Sequence, residues 1–222
     1  MIRAVSFDVG GTLIRPWPSV GHVYAEVAAH HGVRDLSADT LNKGFLAAWR
    51  ARRHFQHTRE DWARLVEQTF AGTCPPDLTR QFFPALYQRF AEPDAWRIYD
   101  DVLPALDSLA SMDIPLAVIS NWDERLRPLL RELRLDGYFE SIIVSCEIGF
   151  AKPSPVIFEQ AEKKIGSPPA QILHVGDDPV DDVAGAKAAG YQALLINRHD
   201  RTRDPEHIHS LESLASLLTH HQ

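Results

Sequence analysis

The sequence is poor in cysteine. Cys74 and Cys146 are the only two in 222 residues. That excludes a disulfide framework and leaves no close pair of thiolates for a metal, so both are expected as reduced thiols. Positive charge is also short. Lys and Arg number 23 against 30 Asp and Glu, a net charge of −7. This argues against a nucleic-acid partner, because phosphate backbones are gripped by clustered basic side chains. No apolar run is long enough to span a bilayer, so no membrane association is expected. The N-terminus has no basic-then-apolar leader, and apolar residues begin at once in Ile2–Phe7. A soluble, cytoplasmic protein is the expectation. There is no internal repeat and no low-complexity segment, and the pattern specifies no oligomeric state. What remains is 45% hydrophobic and 24% charged, ordinary globular composition with room for one large domain or a core with a smaller insert.

Ile2–Phe7 is short and apolar with β-branched residues, and Gly10-Gly11 follows it. This predicts a buried strand ending in a tight loop. Similar runs at Leu116–Ile119, Ile142–Ser145, Ile172–Val175 and Ala193–Ile196 predict four more strands. Helical patterns lie between them. Asp101–Met112 starts on an acidic cap and puts Val102, Leu103, Leu106 and Leu109 on one face. Pro155–Ile165 has Ser154 as N-cap, a proline at its first position and Gly166 as its stop, and Asp182–Ala189 ends at Gly190. Strands alternating with helices predict an α/β fold with a parallel sheet between helices. From Trp17 to Pro93 the alternation stops. Val20–His30, Ala38–Arg53, Arg59–Phe70 and Leu78–Phe90 carry helical patterns, with Pro16 and Pro18 at the entry and Pro93 at the exit. Residues 17–93 are therefore expected as an all-helical domain inserted into a core made of residues 1–16 and 94–222. Leu211–Leu218 predicts a last amphipathic helix.

In an open α/β sheet, ligands bind beyond the carboxyl ends of the strands, so the polar residues there carry the functional reading. Asp8 ends the first strand and precedes two glycines that let backbone approach a ligand; a turn or cap aspartate is the plain alternative. Ser120-Asn121 follows the second strand, where a hydroxyl and backbone N–H groups suit an anion or simply cap a helix over Trp122–Leu133. Lys152 lies in a loop before a helix, and a lone lysine is usually a solvated charge. Asp177, Asp178, Asp181 and Asp182 gather after the strand at 172–175. Carboxylates so crowded repel each other, and a bound cation is a natural reason for them, although Asp181 or Asp182 also suits a helix cap.

Taken in order, these segments resemble the haloacid dehalogenase superfamily. They are Phe7-Asp8-Val9-Gly10-Gly11-Thr12-Leu13, Val118-Ile119-Ser120-Asn121, Lys152-Pro153 and His174-Val175-Gly176-Asp177-Asp178 with Asp182. The resemblance covers nearly the whole chain and is to subfamily IA, which has a Rossmannoid core and a helical C1 cap. Ile119–Leu126 and Pro18–Ala25 further resemble a subgroup named for a rhythmically expressed insect gene product.

That resemblance implies a hydrolase acting on a small phosphorylated substrate. Asp8 would attack phosphorus and become a phosphoaspartate. Mg2+ would be held by Asp8, the carbonyl of Gly10 and Asp177, with Asp182 through water, and would neutralise nucleophile and phosphate together. Lys152 would add positive charge, and Ser120, Asn121, Gly11 and Thr12 would hold the transferring oxygens. Residues 17–93 would form a mobile cap over the Asp8 loop. His22, Tyr24, Trp49 and Arg53 are candidates for lining a pocket, and equally suit core or surface. One departure stands out: the residue two after the nucleophile is normally a second aspartate that protonates the leaving alcohol, and here it is Gly10. This leaves open a phosphatase suited to acidic leaving groups. It also leaves open carbon–halogen or carbon–phosphorus hydrolysis, the latter needing a cap lysine such as Lys43, and a non-enzymatic phosphate-binding protein.

Overall fold

The computed structural model describes residues 1–198 and 207–220. The chain opens on β1 (Ala4–Phe7). A short strand β2 (Ile14–Pro16) leads into α1 (Val20–His30), α2 (Ala38–Ala51), α3 (Arg59–Thr69) and α4 (Pro76–Arg89), and β3 (Trp96–Ile98), paired with β2, leads out. Then follow α5 (Val102–Ala110), β4 (Leu116–Ser120), α6 (Leu126–Glu132), β5 (Ser141–Val144), α7 (Ser145–Ile148), α8 (Pro155–Ile165) and β6 (Ile172–Gly176). A wide π-type turn at Pro179–Ala184 runs into α9 (Gly185–Ala188), followed by β7 (Gln192–Ile196), β8 (His207–Ile208) and α10 (Leu214–His220). Among the described residues no helix is long and apolar enough to cross a membrane.

Two compact units result: Met1–Ile14 with the chain from Ile98 onward, and Arg15–Arg97. The divisions fall inside β2 and β3, a ribbon the sequence pattern does not reveal because each strand has three residues and one ends in Pro16. In the first unit six strands form one sheet in the order β5-β4-β1-β6-β7-β8, and every pairing is parallel. The two-residue β8 is a strand beyond the five expected. All four residues of β1 are buried, as in a parallel strand covered on both faces. The chain builds outward from β1 to β4 and β5 on one side, then to β6, β7 and β8 on the other. The crevice beyond the carboxyl end of β1 is therefore the switch point where such sheets bind ligands. In the second unit α1 to α4 pack around Tyr24, Val27, Phe70, Phe82 and Leu86, with Tyr24 stacked on Phe70 at 5.6 Å.

Several helix starts differ from expectation, each because a polar side chain is engaged elsewhere. Ser154 caps α8 as expected, accepting from Val156 N, and Gly166 ends it in the left-handed region. Asp101 precedes α5 but makes no cap bond. Its carboxylate accepts two hydrogen bonds from the Arg198 guanidinium, both 2.9 Å, and one from Leu211 N at 2.8 Å. Helix α6 begins at Leu126 rather than Trp122, because Ser120 and Asn121 are committed to other partners. The turn after β6 is capped by Asp178, which accepts from Val180 N and Asp181 N, and not by Asp181 or Asp182.

Arg198 also donates to the Thr12 carbonyl at 2.6 Å and lies 3.8 Å from the centroid of the Tyr99 ring. Its side chain and that of Asp101 are 10% and 12% exposed. Removing one partner of a pair this buried strands the other charge. Arg198→Met should therefore cost about 3–5 kcal/mol, read as a thermal midpoint lowered by about 2–4 °C per kcal/mol at this chain length. Burial opposes ionisation of Asp101, but Arg198 and the Leu211 N–H outweigh it and hold its pKa below the ordinary 3.8. This stabilisation is fully present above about pH 4 and is lost as pH falls through the lower folded value. Acid titration of stability should show a loss in the wild type that Arg198→Met lacks; equal acid profiles would contradict the pairing.

Candidate active site

The site is organised by a buried ammonium. The Lys152 side chain is 1% exposed. Its Nζ donates to Asp8 Oδ1 at 2.7 Å, Asp182 Oδ1 at 2.5 Å and the Ile119 carbonyl at 2.7 Å, which uses all three of its donors. The lysine reaches this point because Asn121 clamps its peptide: Lys152 N donates to Asn121 Oδ1 at 2.7 Å, and Asn121 Nδ2 donates to Lys152 O at 3.0 Å. The Asn121 side chain is thus a positioning group; the ligand contact expected of this residue is through its backbone.

Asp8 follows β1 directly, and its own N–H donates to Val175 O at 2.9 Å. Ser120 Oγ donates to Asp8 Oδ1 at 2.9 Å. With Lys152 on the same oxygen, Oδ2 takes no hydrogen bond among the described residues. Asp182 is fastened on every side. Its Oδ1 takes Lys152 and His174 Nε2 (3.2 Å), and its Oδ2 takes Asp178 N (2.9 Å). A Cβ at Gly176 would lie 2.1 Å from Asp182 Cγ, so that glycine is the condition for the carboxylate's position. His174 Nδ1 lies 2.9 Å from Ser6 Oγ. Because Asp182 only accepts, the network assigns the proton to Nε2 and has Ser6 donate to Nδ1. Burial, aided by the Lys152 charge, holds the imidazole neutral by lowering its pKa.

The candidate residues separate in the structure. Asp8, Ser120, Lys152 and Asp182 form one hydrogen-bonded group, and oxygens of Asp8, Asp177 and Asp182 lie within 4.8 Å of one another. Gly11 meets the group differently from expectation. Its N–H donates to Ile14 O at 2.8 Å, so it is not available to a phosphate. Its φ of +81° and the missing Cβ, which would lie 2.3 Å from Asp177 Oδ2, make room for Asp177 instead. Thr12 is fully buried, and its carbonyl accepts from Arg198. In the helical unit Tyr24 is core at 2% exposure. Trp49 stacks on Trp62 with Arg52 over its ring, while His22, Arg53 and Lys43 are exposed. His174 and Ser6 were missed because each sits inside an apolar strand run, where one polar residue gives no period signal. Their signal is that β1 and β6 bring them opposite each other.

Three carboxylates and one ammonium leave two negative charges over, which a divalent cation would balance. The pKa pattern divides the roles. Burial opposes the charged forms of both Lys152 and Asp182, yet their mutual attraction wins, raising the lysine and lowering the aspartate. Asp8 is raised by burial, with Asp182 adding to it against the pull of Lys152. Asp177 keeps an exposed edge, but the protein crowded around its carboxyl and the charges of Asp8 and Asp182 push it up to about 8. The two carboxyls left with unmet negative charge are Asp8 and Asp177, and with Asp182 they form a group that could hold a metal ion.

A parallel sheet between helices with this aspartate at its switch point is an α/β, Rossmann-like core. The chain belongs to the haloacid dehalogenase-like hydrolases, whose family model matches residues 2–190. It is 32% identical to the haloacid dehalogenase-like hydrolase domain-containing protein 3 of Danio rerio, over 99% of this chain and 97% of that protein. It is 30% identical to the rhythmically expressed gene 2 protein of Drosophila melanogaster, over 88% of this chain. Among solved structures it is similar to the HAD-hydrolase YfnB of Bacillus subtilis bound to magnesium, with a TM-score of 0.77, 21% identity and 98% of each chain covered.

The raised Asp177 has a measurable consequence. Its folded pKa of about 8 exceeds the ordinary 3.8, so the metal-free folded state holds a proton that the unfolded chain releases. Asp177's contribution to stability, reduced by water at its exposed side, should then fall as pH rises from about 4 towards 8. Asp177→Asn should flatten this slope and raise the metal-free thermal midpoint near pH 8 by a few degrees, while weakening stabilisation by added magnesium. A variant with the wild-type pH slope and undiminished magnesium response would contradict the assignment.

Proposed function

We propose that this chain is a magnesium-dependent phosphatase for a small phosphorylated substrate, with Asp8 as nucleophile. The observation that carries the reading is the state of the Asp8 carboxylate. One oxygen is pinned by Ser120 and Lys152, the other takes no hydrogen bond among the described residues, and the carboxylate lies within 4.8 Å of oxygens of Asp177 and Asp182. Asp8 attacks phosphorus, its new O–P bond forms as the bond to the leaving oxygen breaks, and water then hydrolyses the phosphoaspartate. Lys152 fixes the carboxylate's orientation and offsets charge as the dianion approaches. Magnesium, when bound, would screen the repulsion between substrate and nucleophile. The residues that would hold it are Asp8, Asp177 and the Gly10 carbonyl, with Asp182 acting at one remove because both its oxygens are already occupied. Displacement of halide from carbon has no need of the Asp177 carboxylate, so the three-carboxylate cluster favours phosphoryl chemistry.

Asp8→Asn keeps the shape of the side chain and should lower kcat on any accepted phosphate by about 10³-fold or more, with a folded protein by circular dichroism. Turnover must also vanish on chelation and return with magnesium. Asp177→Asn should raise the magnesium concentration for half-activity more than Asp182→Asn does, because direct ligation outweighs a contact through water. Undiminished turnover in folded Asp8→Asn, or full activity with chelator, would overturn the proposal.

A further inference from the structure

The space beside the nucleophile that a side chain at position 10 would take is already filled. A Cβ built on Gly10 would lie 3.1 Å from Cζ3 of the Trp122 indole and 3.8 Å from its Cη2. Gly10 stands two residues after Asp8 on the loop leaving β1, and Trp122 stands two residues after Ser120 on the loop leaving β4. Those strands are parallel neighbours, and the loops are joined by the Ser120–Asp8 hydrogen bond. The indole therefore lies against Gly10, in the space a side chain at position 10 would take.

The fold fixes the backbone that carries this ring. Ser145 Oγ accepts from Trp122 N and donates to Trp122 O, both at 3.0 Å, and Cys146 N donates to the same carbonyl at 3.2 Å. The preceding Asn121 is clamped to Lys152. The following Asp123, 1% exposed, accepts from the backbone and guanidinium of Arg125. Trp122 itself remains partly exposed between these anchors.

We infer that Trp122 is a specificity-determining residue: its indole is the surface that meets the leaving group, and it selects planar aromatic leaving groups over aliphatic ones. This rests on the Asp8 reading above. An aryl phosphate gives up a stabilised phenoxide, whose electron pair departs with the oxygen and which takes its proton from water after release. Its ring also gains a stacking partner, worth roughly 2–10-fold in binding. An alkyl phosphate leaves as a basic alkoxide and forfeits the roughly 10²–10⁴-fold that a positioned acid contributes, since neither Gly10 nor the ring supplies one.

The experiment compares phenyl phosphate with ethyl phosphate as substrates, and phenylphosphonate with methylphosphonate as inhibitors, with magnesium present. The wild type should prefer phenyl over ethyl phosphate by about 100-fold or more. Trp122→Leu should raise KM for phenyl phosphate and the inhibition constant of phenylphosphonate by roughly 2–10-fold, leaving methylphosphonate unchanged, and Trp122→Phe should restore the aryl preference. The contact is read separately from activity: Gly10→Ala should shift the thermal midpoint by a different amount in the wild type than in Trp122→Ala. Equal weakening of both inhibitors by Trp122→Leu, or no coupling between positions 10 and 122, overturns the inference while leaving phosphatase activity standing. Turnover in Asp8→Asn would instead remove the reading beneath it.

Discussion

The Lys152 ammonium is the interaction on which the rest of the site depends. A buried charge costs several kcal/mol unless it is paired and fully hydrogen-bonded, and Lys152 meets that condition only where three chain segments converge. Asp8 comes from the end of β1, the Ile119 carbonyl from β4 and Asp182 from beyond β6. The supporting residues serve this meeting. Asn121 holds the lysine's peptide, Gly176 lets Asp182 approach, and His174 and Asp178 N occupy the remaining lone pairs of Asp182. Without the ammonium, Asp8 and Asp182 would face each other as uncompensated like charges.

From that pairing follows a division of labour among chemically identical groups. Asp182 is committed to Lys152 and is held ionised. Asp8 and Asp177 inherit the charge that Lys152 cannot cancel, and their raised pKa values mark them as the carboxyls with most to gain from a cation. Environment, not residue type, separates a carboxylate committed to an ion pair from two left with unmet charge. The parallel sheet makes the separation possible, because β1 and β6 end side by side and deliver their carboxylates to one crevice.

Much of this was legible in the sequence. The strand runs and Ser154, Pro155 and Gly166 marked the core elements within a few residues, because apolar period and cap chemistry are local. Asp8, Ser120, Asp177 and Asp182 were visible as polar residues at strand ends, while Lys152, in a loop before a helix, stood out only through the ordered set of segments. What each one touches was not. Asn121 faces Lys152 rather than solvent, Gly11 makes room for Asp177, and Thr12 is buried, because partners dozens of residues apart leave no local pattern. The β2–β3 ribbon escaped for want of length. His174 and Trp122 escaped because an apolar run hides a buried histidine and a loop hides the direction of an indole.

The central claim is that Asp8 carries the phosphoryl group during turnover. Rapid acid quenching of the protein in the steady state with phenyl phosphate and magnesium, followed by peptide mass spectrometry, tests it directly. The account predicts one added phosphoryl group on the peptide containing Asp8, labile to hydroxylamine as an acyl phosphate is. Phosphate found on another residue, such as Ser120 or His174, would contradict it.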